Sequence, residues 1–586
     1  MSNIATQMNV LLDRFIKSPT KDQQVAFIKL LNGFLQPTNK DNHIYMLTGS
    51  AGTGKTTIVE ALVGMITYLN DCVENGLPLD VDSPKKKINL FLTATTGRAA
   101  RMLENRCKFS ACTIHKLIYT LDDNKSEVSR NSVKWYYKIA DAITDPYSVI
   151  FIDESSMISS LNPTEENVIF GSGNLIDDIL TFGTNAKIVF VGDPYQLPPI
   201  NETKTLALDP ELFEMKYFYP VQFIELKEPV RFSKFSGIYQ LAYQIRDNML
   251  SNEQTNLNIE ENSNVTIYDN VDDLLNQHIA TLKRDPTSPI IMIAYTNNVV
   301  STLNKKIRNT LLKNNKKLLN NNEYVMVTRN NYLYDLMNGE IVQIVSVENE
   351  CKKIEHLRFR KVKLQYGEDI EDEMKCMVLE NTLEPNFTYT FQDELLILSF
   401  IFEKIQKEHP DLLDNKKLLM YRLQTDPYLN ALRLKYAYAI TCHKAQGGEW
   451  EEVSIVTESI LYHSKQPSDF VNKWLYTAIT RAKSNVNLLR RPARPVDFID
   501  ELNFDVHYKM GKFIPRFYTG YIHVKDMKLW TAQSGVDYVS IDSDEILLIQ
   551  ENKIECDMPD SLPCYAFCKN GKIIRWQKDI DESNVE

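Results

Sequence analysis

Eight consecutive residues, Gly49-Ser50-Ala51-Gly52-Thr53-Gly54-Lys55-Thr56, fit the phosphate-binding pattern G-x-x-x-x-G-K-[ST] without a gap. Glycines at these spacings let the backbone wrap a phosphate chain with its N–H groups, and a helix starting at the loop adds a favourable partial charge. In such a P-loop Lys55 reaches the β and γ phosphates of ATP, Thr56 ligates Mg2+, and Thr57 continues the helix start beside them. Asp153-Glu154 ends the apolar run Ser148-Val149-Ile150-Phe151-Ile152 and supplies what a P-loop lacks. Asp153 would hold the Mg2+, and Glu154 would polarise the water that attacks the γ-phosphate. Alone, an Asp-Glu pair is usually a solvated turn; after a buried strand and a P-loop it reads as the acidic half of a hydrolysis site. Gly192-Asp193-Pro194-Tyr195-Gln196-Leu197-Pro198-Pro199 ends another apolar run, so Gln196 either approaches the γ-phosphate or belongs to a proline-rich turn.

These side chains need elements to aim them. Ile44-Tyr45-Met46-Leu47 reads as a buried strand before the loop, and Ile58, Ala61, Leu62, Met65 and Ile66 recur at helical spacing behind it. Ile88-Asn89-Leu90-Phe91-Leu92-Thr93 and Ala186-Lys187-Ile188-Val189-Phe190-Val191 are further strands. Each run delivers polar residues at its C-terminal end, where ligands of parallel sheets bind. Helical patterns between the runs predict an α/β fold with helices on both faces. Residues 1–42 read as one or two helices, broken at Ser18-Pro19-Thr20, with Thr20 or Asp22 as cap of the second. A second series starts near Pro289 with Ile290-Ile291-Met292-Ile293-Ala294 and a helix over Asn304–Leu312, and it resumes from Lys435 to about Leu489. Between them lie an Asn/Lys-rich piece (Lys313–Asn322), short β-like segments from Tyr324 to about Leu383 with a tight turn at Asn338-Gly339, and a helical stretch Phe391–Leu423. Arg490-Arg491-Pro492-Ala493-Arg494-Pro495 breaks the pattern as a domain boundary would.

At 586 residues the chain exceeds one core, and roughly three to five domains are expected. Lys and Arg number 66 against 77 Asp and Glu, a net charge of -11, so any nucleic-acid path must be a local basic channel. Nine scattered cysteines without a C-x-x-C motif point to free thiols in a reducing, intracellular setting: cytoplasm, or host cytoplasm for a viral chain. With no apolar run long enough to span a bilayer and no leader pattern, neither secretion nor a membrane partner is expected.

Further stretches, taken with the three above, resemble superfamily 1 helicases, and specifically the RecD-like, Dda-like branch called superfamily 1B, over roughly residues 20–490. Gln23, in Thr20-Lys21-Asp22-Gln23, stands where that family reads adenine. Thr93-Ala94-Thr95-Thr96-Gly97-Arg98-Ala99-Ala100 is similar to its DNA-backbone motif, with Thr95 where proline is usual. Thr113-Ile114-His115-Lys116 is similar to its next strand-contacting motif. Arg231, in Glu225-Leu226-Lys227-Glu228-Pro229-Val230-Arg231, matches a γ-phosphate arginine. Tyr438-Ala439-Ile440-Thr441-Cys442-His443-Lys444-Ala445-Gln446-Gly447-Gly448-Glu449 resembles the motif joining strand binding to nucleotide state, which implies nucleotide contact at Gly447 and Glu449. Tyr476-Thr477-Ala478-Ile479-Thr480-Arg481-Ala482 resembles the motif whose arginine completes the phosphate site. A planar guanidinium suits charge developing at the β/γ bridge.

The resemblance implies two RecA-like P-loop domains with insertions. Residues 1–115 and 148–232 form domain 1A around an inserted domain 1B (116–147) that carries a strand-separating pin. Residues 233–323 and 435–490 form domain 2A around an SH3-like 2B insertion with a helical segment (324–434), and 491–586 is an accessory module. It also implies a monomer that moves 5′ to 3′ on single-stranded DNA and opens duplex junctions, in replication, recombination or repair. Thr96, Arg98, His115, Thr441, His443 and Lys444 are the implied DNA contacts. For His115 and His443 the plain alternative is a satisfied core or turn histidine. Trp135, Tyr136 and Tyr137 either stack on the last base pair or pack the insertion onto the core. The C-terminal segment from Ala493 to Glu586 holds 17 acidic against 11 basic residues and reads as a packing or partner-binding module. An RNA helicase, or a nucleotide-gated scaffold that grips a strand without unwinding, are the competing functions.

Overall fold

The computed structural model describes Leu12 and residues 15–76, 86–129, 132–161, 168–230, 236–251, 264–313, 317–366, 373–385, 387–457, 460 and 467–489, with strand residues between 522 and 577. Contacts divide the chain into two compact units, Met1–Ser251 with Asn315–Tyr438 and His443–Glu449, and Asn252–Asn314 with Ala439–Cys442 and Trp450–Glu586. Arg231 and most of residues 490–586 lie outside the described residues.

The first unit is organised on six parallel strands in the order Val221–Leu226, Ile44–Gly49, Ala186–Gly192, Ser148–Asp153, Asn89–Ala94, Ala111–Thr113. The apolar runs are continuous because both faces are covered, and alternate residues feed two separate cores. Tyr45, Leu47, Val149, Phe151, Val189 and Val191 pack with Phe27, Leu62 and Leu103 of the helices Lys21–Phe34, Lys55–Glu74 and Gly97–Cys107. Ile44, Met46, Ile150, Ile152, Ile188 and Phe190 face the other way, onto Ile118, Ile179 and Phe213 of Ile114–Ile118, Leu175–Phe182 and Pro210–Tyr217. Of the two candidate caps, Thr20 does the capping: it accepts from Gln23 N while Gln23 Oε1 accepts from Thr20 N. Asp22 instead accepts from Lys227 N and Glu228 N at 2.9 and 3.2 Å, pinning the chain just past the edge strand.

Two smaller sheets complete this unit. Tyr119–Leu121 and Glu127–Ser129 pair antiparallel with Ser132–Ile139, which also takes Val168–Phe170 in parallel. The insertion's sheet therefore recruits a strand from beyond Asp153-Glu154. A five-stranded antiparallel sheet runs in the order Glu373–Leu379, Leu357–Gln365, Ile341–Ile354, Tyr324–Val327, Leu434–Tyr436. Register shifts along Ile341–Ile354 bend it. One of its faces closes a core around Val325, Val342, Val362 and Val378, and the other receives the helices Phe391–Glu408 and Lys416–Gln424 on Phe359 and Leu379.

The second unit holds five parallel strands in the order Val265–Tyr268, Ala482–Leu489, Trp450–Ile455, Ile290–Ala294, Ala439–Thr441, so the α/β class holds in both halves. Asn304, buried on the helix Asn297–Leu311, donates to Ala439 O and accepts from Ala439 N at 2.8 and 2.9 Å, fixing the last of these strands. In the C-terminal segment Leu548–Gln550, Lys553–Met558, Ser561–Lys569 and Lys572–Gln577 form an antiparallel meander. Among the described residues no helix is long and apolar enough to cross a membrane.

Burial has a pH consequence. His43, His115 and His278 are each held down to about 4 by desolvation. Neutral when folded, each gains a proton on unfolding below its ordinary 6.5, so stability is complete above about pH 6.5 and drains as pH falls toward 4. For His278, 1% exposed with its Nδ1 3.3 Å from Ser454 Oγ, the loss should be about 2 kcal/mol at pH 5. Urea midpoints of the parent should fall across that window, and His278→Gln should flatten the slope.

Candidate functional site

The phosphate loop leaves the strand Ile44–Gly49 at its C-terminal end and enters the helix Lys55–Glu74. Gly52 and Gly54 have φ of +81° and +86°, open to glycine and strained for other residues. A side chain at position 54 would strike the Gln23 amide at 2.3 Å. Thr53 Oγ1 donates to Ser50 O and Val230 N donates to Gly52 O, both at 2.8 Å, so the loop is braced from within and by the chain leading to Arg231. Lys55 Nζ folds over the loop, donating to Gly49 O at 2.6 Å and Ser50 O at 3.2 Å. Thr57 Oγ1 accepts from Arg106 Nη2 at 2.6 Å. Gln23 is buried, and with Oε1 in the capping box its Nε2 donates to Thr53 O at 3.3 Å, so its amide braces the loop.

Asp153 ends its strand opposite Ala94. Burial pushes its carboxyl above the usual carboxylate range, opposed by the Glu154 N–H it accepts at 2.9 Å and by the charges of Lys55 and Arg106. The donors fit Mg2+: Thr56 and Asp153 offer hard oxygens, and the described residues gather no cluster of three or more His, Cys, Asp or Glu. An ion that takes most of its ligands from phosphate and water needs no more than that. Glu154 has φ +53°, a left-handed conformation that costs a non-glycine residue about 1–2 kcal/mol. Thr95 holds it there, its N–H donating to Asp153 O at 3.3 Å and its hydroxyl to Glu154 O at 3.1 Å. Proline, the usual residue at this point in the family, has neither donor.

Gln196 is 5% exposed, and among the described residues its side-chain Oε1 has no hydrogen-bond partner, an acceptor that a donor at the site would satisfy. The next residue, Leu197, accepts through its carbonyl from Gln446 Nε2 at 2.8 Å in a buried bond. The sequence places Gln446 inside the Tyr438–Glu449 motif without a role of its own, and its burial at 6% exposure shows only in the structure. Gly447 has φ +70°, and a Cβ there would sit 3.4 Å from Thr96 Oγ1 and 3.8 Å from Glu154 Cγ. The structure thus brings Gly447, Thr96, Glu154 and the Gln196 loop together.

The strand-side residues are more varied. Thr96 caps its helix, accepting from Ala99 N at 3.2 Å, and Arg98 follows it half-buried. His115 packs its ring 5.4 Å from Phe170 and 5.7 Å from Tyr119, and burial keeps it neutral. It has the surroundings of a core histidine. His443 and Lys444 are both shifted down by burial, and Lys444 Nζ donates to Asn338 Oδ1 at 2.7 Å. Trp135 packs against the core of the helices Phe391–Glu408 and Lys416–Gln424, Tyr137 stacks on Phe170 at 4.9 Å, and Tyr136 N donates to Ser126 Oγ at 3.0 Å. Thr441 and Arg481 belong to the second unit, and Glu449 is half-buried at the end of the first. Arg481 is 4% exposed, its Nε donating to Thr477 O at 3.0 Å and its carbonyl accepting from Trp450 N at 2.9 Å.

A family model described as AAA domain matches residues 34–267, and one described as UvrD-like helicase C-terminal domain matches residues 436–489. An uncharacterized protein of Methanocaldococcus jannaschii is 24% identical over 481 residues, 76% of this chain and 36% of that protein, so the chain spans about a third of that relative's length. The RecBCD enzyme subunit RecD of Buchnera aphidicola subsp. Schizaphis graminum is 24% identical over 536 residues, 82% of this chain and 74% of that subunit. The crystal structure of Pif1 helicase from Candida albicans is 16% identical and covers 84% of this chain and 100% of that one, with a TM-score of 0.40. That likeness is looser than fold-level agreement, and the assignment rests on the sequence matches. With the phosphate loop, Asp153, Glu154 and Gln196 inside one matched segment, Arg481 inside the other, and a RecD relative aligned across 82% of the chain, the chain is similar to superfamily 1B helicases of the RecD-like type.

Proposed function

We propose that this chain is an ATP-dependent DNA helicase that moves 5′ to 3′ along single-stranded DNA and opens the duplex ahead of it. One observation carries the reading: Gly447 lies against both Glu154, the acid assigned to hydrolysis, and Thr96, which heads the helix assigned to the strand. A shift at Glu154 during the ATP cycle is thereby felt at the strand contacts through Gly447 and, by way of Gln446 and Leu197, through the Gln196 loop. Lys55 neutralises the β and γ phosphates, Glu154 orients the attacking water, and Arg481 and Arg231 are assigned to the charge that develops as the bond breaks. Thr56 and Asp153 would hold Mg2+, which draws charge from the phosphates when bound. ATP, single strands and duplex junctions are the proposed ligands of an intracellular monomer, with residues 491–586 as an accessory, partner-binding module. Residues 1–115 with 148–232 and 233–323 with 435–490 are the proposed RecA-like domains, with 116–147 and 324–434 as their insertions.

Strand displacement on forked DNA with a 5′ or a 3′ tail, run beside DNA-stimulated ATP hydrolysis, tests this. Opening of the 5′-tailed fork alone is the expected result. Stimulated hydrolysis with neither fork opened would replace unwinding by translocation or gated strand binding. RNA strands that stimulate as well as DNA would move the substrate class.

A further inference from the structure

We propose that a cavity of about 460 Å³ between the inserted sheet and the loop after Val327, within the first unit, is a pocket for one unpaired nucleotide of a DNA strand. The inference rests on the strand-binding reading above and adds a site that the reading does not use.

Its walls combine two chemistries. Trp135 and Tyr137, two residues apart and so on one face of Ser132–Ile139, form one side with Phe170, on which Tyr137 stacks. Tyr332 stands 6.3 Å from Tyr137, ring centre to ring centre, and remains 46% exposed, leaving aromatic surface open to a base. Arg329 and Arg433 also line the cavity. Arg433 lies 3.5 Å over the Tyr389 ring, and burial, then the neighbouring charge of Arg329, lowers its pKa to about 10. The buried Glu394, which also lines it, returns one negative charge, leaving one positive charge in excess, which suits a single phosphodiester. A packing gap between apolar surfaces would not gather two guanidinium groups.

The amides on the wall show how selective the pocket is. Asn331 spends Nδ2 on Asn430 O at 2.7 Å and Oδ1 on Tyr334 N at 3.1 Å, and Asn330 Oδ1 accepts from Asn338 N at 2.9 Å. With these groups engaged, stacking is the main hold on the base, and stacking tolerates any base. The volume lies within the usual range for small-ligand pockets. One wall residue also touches a candidate strand contact, Asn338 accepting from Lys444. A strand running past Lys444 thus passes the cavity.

The test is a fluorescence titration of the full chain with single-stranded and forked oligonucleotides in which one abasic site is walked along the unpaired region. One position should weaken binding by the parent about tenfold, the effect of losing one stacked base. In Tyr332→Ala, a change at a half-exposed ring that the fold should tolerate, the same abasic site should cost less than about twofold. Arg329→Gln should weaken the intact strand and lower the salt dependence by about one phosphate contact. If no abasic position separates the parent from Tyr332→Ala, the pocket is overturned while the helicase reading stands, provided DNA still stimulates hydrolysis. If no single strand stimulates hydrolysis or binds, both fall.

Discussion

Glu154→Gln is expected to lower DNA-stimulated ATP hydrolysis by about 10²–10⁴-fold while leaving ATP affinity within a few-fold of the parent. The amide keeps the size of the carboxylate and the backbone that Thr95 holds, but it cannot polarise a water as a base would. Glu154→Gly separates the chemistry from the backbone strain. It loses the same activity, yet it removes a left-handed strain of about 1–2 kcal/mol at φ +53° and gives back only about 0.5–1 kcal/mol in unfolded-state entropy. The glycine variant should therefore melt at or slightly above the parent, and the glutamine variant at the parent's temperature. That pattern would mark the strain as a cost of aiming the acid. Hydrolysis by Glu154→Gln at more than a tenth of the parent rate would remove Glu154 from the chemistry. A parallel variant, Thr95→Pro, would show whether the hydroxyl that grips Glu154 O is what sustains the conformation.

The parts legible in the sequence are those written in continuous or periodic signals. Ile44–Gly49, Ser148–Asp153 and Ala186–Gly192 are buried on both faces, so their apolar runs are unbroken and end where the chemistry begins. Val221–Leu226 was not legible as a strand: it is an edge, only half-buried over much of its length, and its Gln222 and Glu225 interrupt the run. Val168–Phe170 is too short to announce itself and gains its place only by pairing with Trp135, Tyr136 and Tyr137. Within the site, residue types were legible and their partners were not. Gln446 and Leu197 lie 249 residues apart, and nothing local shows that one will bond the other. Gln23 is assigned to the base by its motif; that its amide also spans Thr20 and Thr53 depends on a helix start and a loop meeting in space. His115 looked like a phosphate contact because it sits between Ile114 and Lys116 after a threonine; the rings of Tyr119 and Phe170 beside it arise from the inserted sheet. Thr95 looked like a departure from the family pattern, and the structure gives it a task that proline could not perform.

Lys55→Ala should reduce hydrolysis at saturating ATP by about 10²–10³-fold, the order lost when one preorganised charge-stabilising donor is removed. The loop should survive the change, because Thr53, Val230 and Gln23 brace it independently of Lys55, and alanine is favourable in a helix such as Lys55–Glu74. Unfolding free energy should thus stay within about 1 kcal/mol of the parent, roughly the worth of its hydrogen bonds to Gly49 O and Ser50 O. Lys55→Arg should not restore the rate: a planar, longer fork cannot place a compact charge where an ammonium reaches along the loop. Single-turnover hydrolysis measured beside thermal melting separates the outcomes. A large rate loss with an unchanged melt assigns Lys55 to the phosphates, a matched loss of both makes it a brace of the loop, and a parent rate in Lys55→Ala would mean that the nucleotide is hydrolysed elsewhere.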